Sequence, residues 1–201
     1  MDIYNFYSEY PFGANTYVIS SGDEYAVVDP AASPEKVLGE LKLSPLKFKY
    51  VILTHAHFDH ILFVDEWTSL TKLPVTVSEE DKIMLGDSYL NCYELFLGSK
   101  RGYNGEILTV KDGDELPLGE IKLKIYSSSG HTPGSILIGA EDSLFVGDTV
   151  FADNGYGRCD LPGGNFEELK KSVRKIHEFN KNLTVYPGHG PKTTISKIIR
   201  F

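Results

Sequence analysis

Cysteine is scarce: the chain holds two, Cys92 and Cys159, far apart and with no CxxC pair between them. That excludes a disulfide framework and a zinc ribbon, and makes a reducing cytoplasm the expected compartment. No apolar run approaches the length of a bilayer span, so no membrane partner is expected. The opening residues, Met1 to Phe6, mix an acid and an asparagine among aromatics, where a secretory leader would place basic residues before an unbroken apolar stretch. Charge of one sign is never concentrated either: 20 basic and 28 acidic side chains give a net charge of −8 without a basic stripe, which argues against nucleic acid and leaves a small-molecule substrate. Repeats and low-complexity tracts are missing too. What the chain does have is a core, since 201 residues with 41% hydrophobic content suit one domain spanning 1–201. Oligomeric state is not legible.

Alternation of aromatic and β-branched with polar residues predicts short strands at Asn15 to Ile19 and Tyr25 to Val28, with turns at Pro11 to Gly13 and Ser21 to Asp23. Ser33-Pro34-Glu35 reads as an N-cap, a first-turn proline and a first-turn acid, opening a helix to about Leu41. Further strands are expected at Tyr50 to Leu53, Pro74 to Val77, Ile107 to Val110, Ile121 to Tyr126, Ser135 to Ile138, Leu144 to Val146 and Leu183 to Tyr186. Ser78 to Asp81 looks like the start of a helix. Asn165, with Glu168 three residues on, caps another whose Phe166, Leu169, Val173 and Ile176 form one buried stripe. Between Asp87 and Gly105 the sequence turns aromatic and irregular, which suits either a lid or substrate wall, or a helical flap packed on the core.

Chemistry concentrates in one short segment. Six histidines in 201 positions predict about 0.2 per six-residue window, yet His55 to His60 holds three of them and an aspartate. Leaving a strand in extended form, residues 55, 57 and 59 project to one side, and a turn into a helix at 59 to 60 brings His60 alongside. His131 in Ser129-Gly130-His131-Thr132-Pro133-Gly134 and His189 in Pro187-Gly188-His189-Gly190 sit in turns whose glycines and proline allow tight placement of an imidazole. Asp148 follows Leu144-Phe145-Val146-Gly147, again at a strand end, where an isolated aspartate would ordinarily be a cap. These clusters all fall just past strand ends, where neighbouring loops converge. His177, between Lys175 and Glu178 within the last helix, reads as a solvated surface residue.

The run Thr54-His55-Ala56-His57-Phe58-Asp59-His60, followed by Gly130-His131, Gly147-Asp148 and Gly188-His189, resembles the metallo-β-lactamase superfamily over nearly the whole chain. Within it, Gly157-Arg158-Cys159-Asp160-Leu161-Pro162-Gly163-Gly164 is similar to the loop signature of glyoxalase II-like hydrolases, with Cys159 where threonine is usual. The resemblance implies an α/β fold, a four-layer αββα sandwich with the site at one edge of its two sheets. It implies that His55, His57 and His131 hold one metal, that Asp59, His60 and His189 hold a second, and that Asp148 bridges the two. Asp29 resembles an aspartate of the superfamily that acts through the ligands, against an ordinary turn role. The pattern departs at two places: Ile61-Leu62-Phe63 stands where glycine usually follows, which alters the helix entry, and the chain runs only about ten residues past His189, short of the helical domain with which the family's longer thioesterases grip glutathione.

Neutral imidazoles and carboxylates suit two divalent ions, zinc first, with iron or manganese as alternatives. Two such ions, two aspartates and a bridging hydroxide sum to a formal charge of about +1. One ion would polarise a carbonyl, the hydroxide would attack it, and the other ion would accept charge on the leaving atom, with Asp59 and Asp148 in catalytic positions. The expectation is hydrolysis of a thioester such as an S-acylglutathione or a related small acyl compound, or of a lactone on the same atoms. A β-lactamase is less favoured. The competing class is a persulfide dioxygenase using one iron on His55, His131 and Asp148. A closed, non-catalytic metal module is a third possibility, disfavoured by the open coordination the ligand set leaves. Arg158 either meets a substrate carboxylate or, as the preferred role, pins its loop through Asp160. Cys159 is expected to be inert.

Overall fold

Residues of alternating parity in the strands serve two different cores, and that division dictates the layering. The computed structural model describes residues 1–8 and 13–201, so the turn expected from Pro11 onward lies, but for Gly13, outside the described residues. One six-stranded sheet runs in chain order through β1 (Asp2–Tyr7), β2 (Asn15–Ser21), β3 (Glu24–Val28), β4 (Phe48–Ile52), β5 (Val75–Ser78) and β6 (Ile107–Val110). The first three are antiparallel, and β3 to β6 are parallel. The second sheet also follows the chain, through β7 (Glu115–Leu118), β8 (Ile121–Ser127), β9 (Ile136–Ala140), β10 (Ser143–Gly147), β11 (Thr184–Pro187) and β12 (Thr193–Thr194). There only β10 and β11 are parallel.

Parallel neighbours need crossovers, and helices supply them. α1 (Pro34–Leu41) joins β3 to β4, and α2 (Val64–Thr71) joins β4 to β5. The short α3 (Lys82–Gly86) and α4 (Tyr93–Leu97) precede β6, and α5 (Phe166–Ile176) joins β10 to β11. Val37, Val64, Trp67 and Leu85 pack on Val18, Val27, Val51 and Val75 on the outer face of the first sheet. The opposite face of the same strands presents Tyr17, Ile19, Val28 and Ile52 to Leu123, Ile125, Ile138 and Phe145 of the second sheet. Leu169, Val173 and Ile176 of α5 close the far side over Leu137, Leu144, Val146 and Val185. Each of those three helix side chains contributes about 1.5–3 kcal/mol by leaving water, so a charge at Val173 would detach the layer. The result is the αββα sandwich.

Helix starts follow the sequence signals where side chains cap them. Ser33 Oγ accepts from Lys36 N at 3.3 Å, and Asn165 Oδ1 accepts from the amides of Glu167 and Glu168. Elsewhere tertiary contacts override local signals. The helix expected at 59 to 60 begins only at Val64, because residues 58–63 form a turn that buries Ile61 in the core. Ser78 Oγ does accept from Asp81 N at 3.2 Å, yet α3 starts at Lys82, since the Asp81 carboxylate is engaged across the molecule. Phe166 is not in the buried stripe; it is exposed and meets Tyr156 and Phe201. His177 is no solvated surface residue, because its Nε2 donates to Ile199 O at 2.8 Å and tethers the C-terminal segment. Among the described residues no helix is long and apolar enough to cross a membrane.

Candidate metal centre

Asp29, His55, His131, Asp148 and His189 follow β3, β4, β8, β10 and β11, and these strands point the same way in both sheets, so their ends share one edge of the sandwich. Two backbone hydrogen bonds join the sheets there: Ile136 N to Thr54 O at 2.8 Å and Asn15 N to Gly188 O at 2.7 Å. All seven side chains singled out by the ligand pattern come together at that edge. Three overlapping groups have donor atoms within 4.8 Å of one another: His55, His57 and His131; His55, His60 and Asp148; and Asp59, His60 and His189. Asp148 lies among them, with Oδ1 3.4 Å from His60 Nε2 and Oδ2 3.6 Å from His131 Nε2 and 3.5 Å from His189 Nε2.

Hydrogen bonds behind the rings decide which nitrogen faces inward. Thr54 Oγ1 donates its one proton to Asp29 Oδ2 at 2.7 Å, so its 3.1 Å contact with His55 Nδ1 is made by the imidazole N–H. His60 Nδ1–H donates to Asp29 Oδ2 at 3.0 Å, and His131 Nδ1–H to the Arg158 carbonyl at 2.8 Å. Each of these rings is left with an Nε2 lone pair aimed at the centre. His57 instead brings Nδ1 within 2.8 Å of His131 Nε2. His55 Nε2, His60 Nε2 and Asp148 Oδ1 are buried without a hydrogen-bond partner. Buried polar atoms left bare cost about 1–3 kcal/mol each, so a cluster of them, all electron-pair donors, fits divalent cations.

The electrostatics agree with that fit. Burial, reinforced by neighbouring imidazoles, pushes His55 well below the usual range and His57 down to about 3, keeping both rings neutral. For Asp148, burial is outweighed by His60, His189 and His131, which hold its carboxyl well below the usual range. His60 and His189 lower Asp59 in the same manner. Burial alone would depress His60, yet Asp59, Asp148 and Asp29 raise it. His55 and His57 held neutral and Asp59 and Asp148 held ionised are the states that metal binding requires, while the carboxylates that raise His60 would equally favour a metal cation in place of its proton. Asp29 also accepts from Thr54 N at 2.7 Å and is buried, so it supports the cluster from a left-handed turn position with φ of +52°.

Several supporting residues escaped the sequence reading. Asp81, fully buried, accepts from Ala56 N at 3.0 Å, Thr132 Oγ1 at 2.8 Å and Gly134 N at 2.7 Å. It thereby ties the loop carrying His55 and His57 to the loop carrying His131. Asn15 Nδ2 donates to Pro187 O and Gly190 O, and Tyr17 Oη to Pro187 O, clamping the His189 turn from β2. Nothing in their sequence surroundings marks these side chains, because their partners lie up to 175 residues away. Gly188 is required by close approach: a Cβ there would collide with Asp148 Oδ1 and His60 Cε1.

A cavity of about 390 Å³ opens over the ligand groups. Its floor includes His57, Asp59, His131, Asp148 and His189, and its walls include Phe58, Phe96, Phe151, Tyr156 and Leu161, with Cys92 and Arg158. The segment from Asp87 to Gly105 combines both expected roles. Cys92 and Phe96 face the cavity, while Tyr103 is buried in the core and Arg101 donates to Leu62 O at 2.9 Å. Arg158 pairs with Asp160 through two 2.7 Å hydrogen bonds, as the pinning role requires. Cys159 is absent from the cavity walls, and burial raises its thiol, which fits an inert residue.

The sequence description of the metallo-beta-lactamase superfamily matches residues 10–189. Among curated relatives, the chain is 33% identical over 188 residues to "Probable metallo-hydrolase YqgX" of Bacillus subtilis, covering 92% of this chain and 89% of that protein. Among solved structures it is similar to the BLEG-1 B3 metallo-beta-lactamase, with a TM-score of 0.86, 31% identity and coverage of 97% and 95%. It is also similar to TTHA1623 in a di-iron-bound form, with a TM-score of 0.79, 26% identity and coverage of 95% of both chains. Fold, ligand pattern and these matches agree: the chain belongs to the metallo-β-lactamase superfamily and is a metallo-hydrolase of that group.

Proposed function

We propose that this protein hydrolyses a thioester, with His55, His57 and His131 holding one divalent ion, Asp59, His60 and His189 a second, and Asp148 touching both. The observation that carries the reading is the position of Asp148, whose two oxygens stand 3.4–3.6 Å from histidines of both groups. Divalent ions bound there would supply a water ionised near neutral pH and a Lewis acid for the substrate carbonyl. Zinc is the first candidate, with iron supported by the di-iron form of TTHA1623 and manganese chemically acceptable.

The protein's own residues do the positioning. Asp29, Thr54 and the Arg158 carbonyl fix the rings of His60, His55 and His131 before substrate arrives. Asp59, kept ionised by His60 and His189, can accept a hydrogen bond from the attacking water and orient it. In the balanced reaction the water oxygen bonds to the carbonyl carbon, the C–S bond breaks, and the departing sulfur takes a proton. The preference for a thioester over a β-lactam rests on the likeness of the 157–164 loop to that of glyoxalase II-like hydrolases, and Gly157, Arg158 and Leu161 of this loop line the cavity. A lactone would use the same atoms.

A persulfide dioxygenase would place one iron on His55, His131 and Asp148 and leave His57 aside. Against it stands His57 Nδ1, which converges to 2.8 Å from His131 Nε2. The test compares hydrolysis of acyl thioesters with oxygen uptake on glutathione persulfide, using protein purified without added metal. Metal-dependent thioester hydrolysis without oxygen consumption supports the proposal. Oxygen consumption in a one-iron protein overturns it.

A further inference from the structure

We propose that the acyl half of the substrate is an uncharged, apolar group, a medium-length alkyl or an aryl-alkyl chain, seated in the cavity above the metal ligands, with the thiol carrier left in solvent at its mouth. The inference rests on the thioester reading and names the substrate class that reading leaves open. The apolar side chains begin immediately beside the ligands. Phe58 lies in the chain between His57 and Asp59 and stacks on Phe96 with ring centroids 5.5 Å apart, while Phe151 approaches the His189 ring at 6.0 Å. A carbonyl carbon placed over the centre therefore has hydrocarbon surface within reach at both ends of the ligand cluster. Leu161 and Tyr156 complete the enclosure, and a volume of about 390 Å³ falls at the small end of the range for small-molecule sites, roughly 300–1,000 Å³. Phe96 and Tyr156 remain 40% and 41% exposed, apolar surface that a ligand would cover.

Charge weighs against the alternative occupant. Among the residues lining this cavity, Arg158 is the sole arginine or lysine, and its Nε and one Nη are engaged by Asp160 at 2.7 Å, so the walls offer a charged acyl group one partly committed guanidinium and otherwise mostly carbon. Asp59 and Asp148 lie on the floor, where bound cations would neutralise them, so the walls and not the floor set the preference for the acyl group. A charged acyl group seated against those aromatic and aliphatic walls would lose hydration with Arg158 alone among the wall residues to compensate. Hydrated carrier outside and hydrocarbon inside is the division that leaves every charged group solvated.

The experiment measures kcat/KM for N-acetylcysteamine thioesters carrying acetyl, butyryl, hexanoyl, phenylacetyl and glutaryl groups. Binding of the corresponding ketones, with CH₂ in place of sulfur, is measured by calorimetry on the same protein. Burial of one methylene corresponds to about a fourfold gain, so four methylenes from acetyl to hexanoyl should raise kcat/KM and ketone affinity on the order of 10²-fold. Glutaryl should fall at least tenfold below butyryl, and Phe96→Ala should reduce the hexanoyl-to-acetyl ratio several-fold. Equal rates for acetyl and hexanoyl, or a preference for glutaryl, overturn the inference while leaving thioester hydrolysis intact. Failure to hydrolyse any of the thioesters overturns the functional reading itself, and the inference falls with it.

Discussion

Replacing Asp81 by alanine removes one carboxylate and breaks contact between two loops that carry five of the seven candidate metal ligands, His55, His57, Asp59 and His60 on one and His131 on the other. Three donors lose their acceptor: Ala56 N, Thr132 Oγ1 and Gly134 N. Thr132 Oγ1 keeps its 2.7 Å partner Ser135 Oγ, so two buried amides are left bare. At about 1–3 kcal/mol for each unsatisfied group, the gross loss is about 2–6 kcal/mol. Removal of an acid whose pKa burial already raises relieves part of that, giving a net loss of about 3 kcal/mol. For a domain of this size that corresponds to a fall in Tm of about 6–12 °C. Asp81→Asn retains one acceptor oxygen and should lie between alanine and wild type. Because Ala56 separates His55 from His57 and Thr132 adjoins His131, metal affinity at that triad should also fall about 10–100-fold. Calorimetric melts of metal-free protein, followed by metal titration against a chromophoric chelator, read both effects. A Tm within 2 °C of wild type together with unchanged affinity would refute the role given to Asp81.

Gly188→Ala should lower metal content and hydrolysis together, since its methyl group meets Asp148 Oδ1 and His60 Cε1; normal metal content would contradict that packing. Burial pushes the Cys92 thiol from its ordinary value near 9 up to about 11, so iodoacetamide at pH 7.5 should label it on the order of 10²-fold more slowly in native than in unfolded protein. The rate should climb toward pH 11, and because the unfolded thiol ionises first, the neutral-thiol contribution to stability is lost as pH rises above about 9. Rapid native labelling at neutral pH would show the thiol to be accessible and ionised. His177→Ala should cost about 1 kcal/mol through loss of the Ile199 contact and leave metal content unchanged, as melting and elemental analysis would reveal.

Most of the architecture was legible because parity carries it: Val18, Val27 and Val51 against Tyr17, Ile19 and Ile52 already separate two apolar faces. The clustering of the candidate metal ligands was legible because His55 to His60 concentrates donors and the others end strands flanked by glycine. Strands β1, β7 and β12 were not recognised, for they lie at or near sheet edges and show mixed or partial burial. Asp81, Asn15 and Tyr17 stayed hidden for a different reason. Asp81 sits in a Ser-Glu-Glu-Asp run that favours a helix start, and only its burial against Ala56, Thr132 and Gly134 gives it another task. Phe166 and His177 were misplaced because helical periodicity assigns a face to a residue but cannot know that Tyr156 or Ile199 will come to meet it.

If two divalent ions share the Asp148 carboxylate, as proposed, metal stoichiometry will show it. Chelator-stripped protein titrated with zinc should take up about two equivalents per chain, and Asp148→Ala should bind both more weakly, because Asp148 reaches histidines of each group. Saturation at one equivalent or none in wild type, or an Asp148→Ala variant that still binds two ions with unaltered affinity, would contradict it.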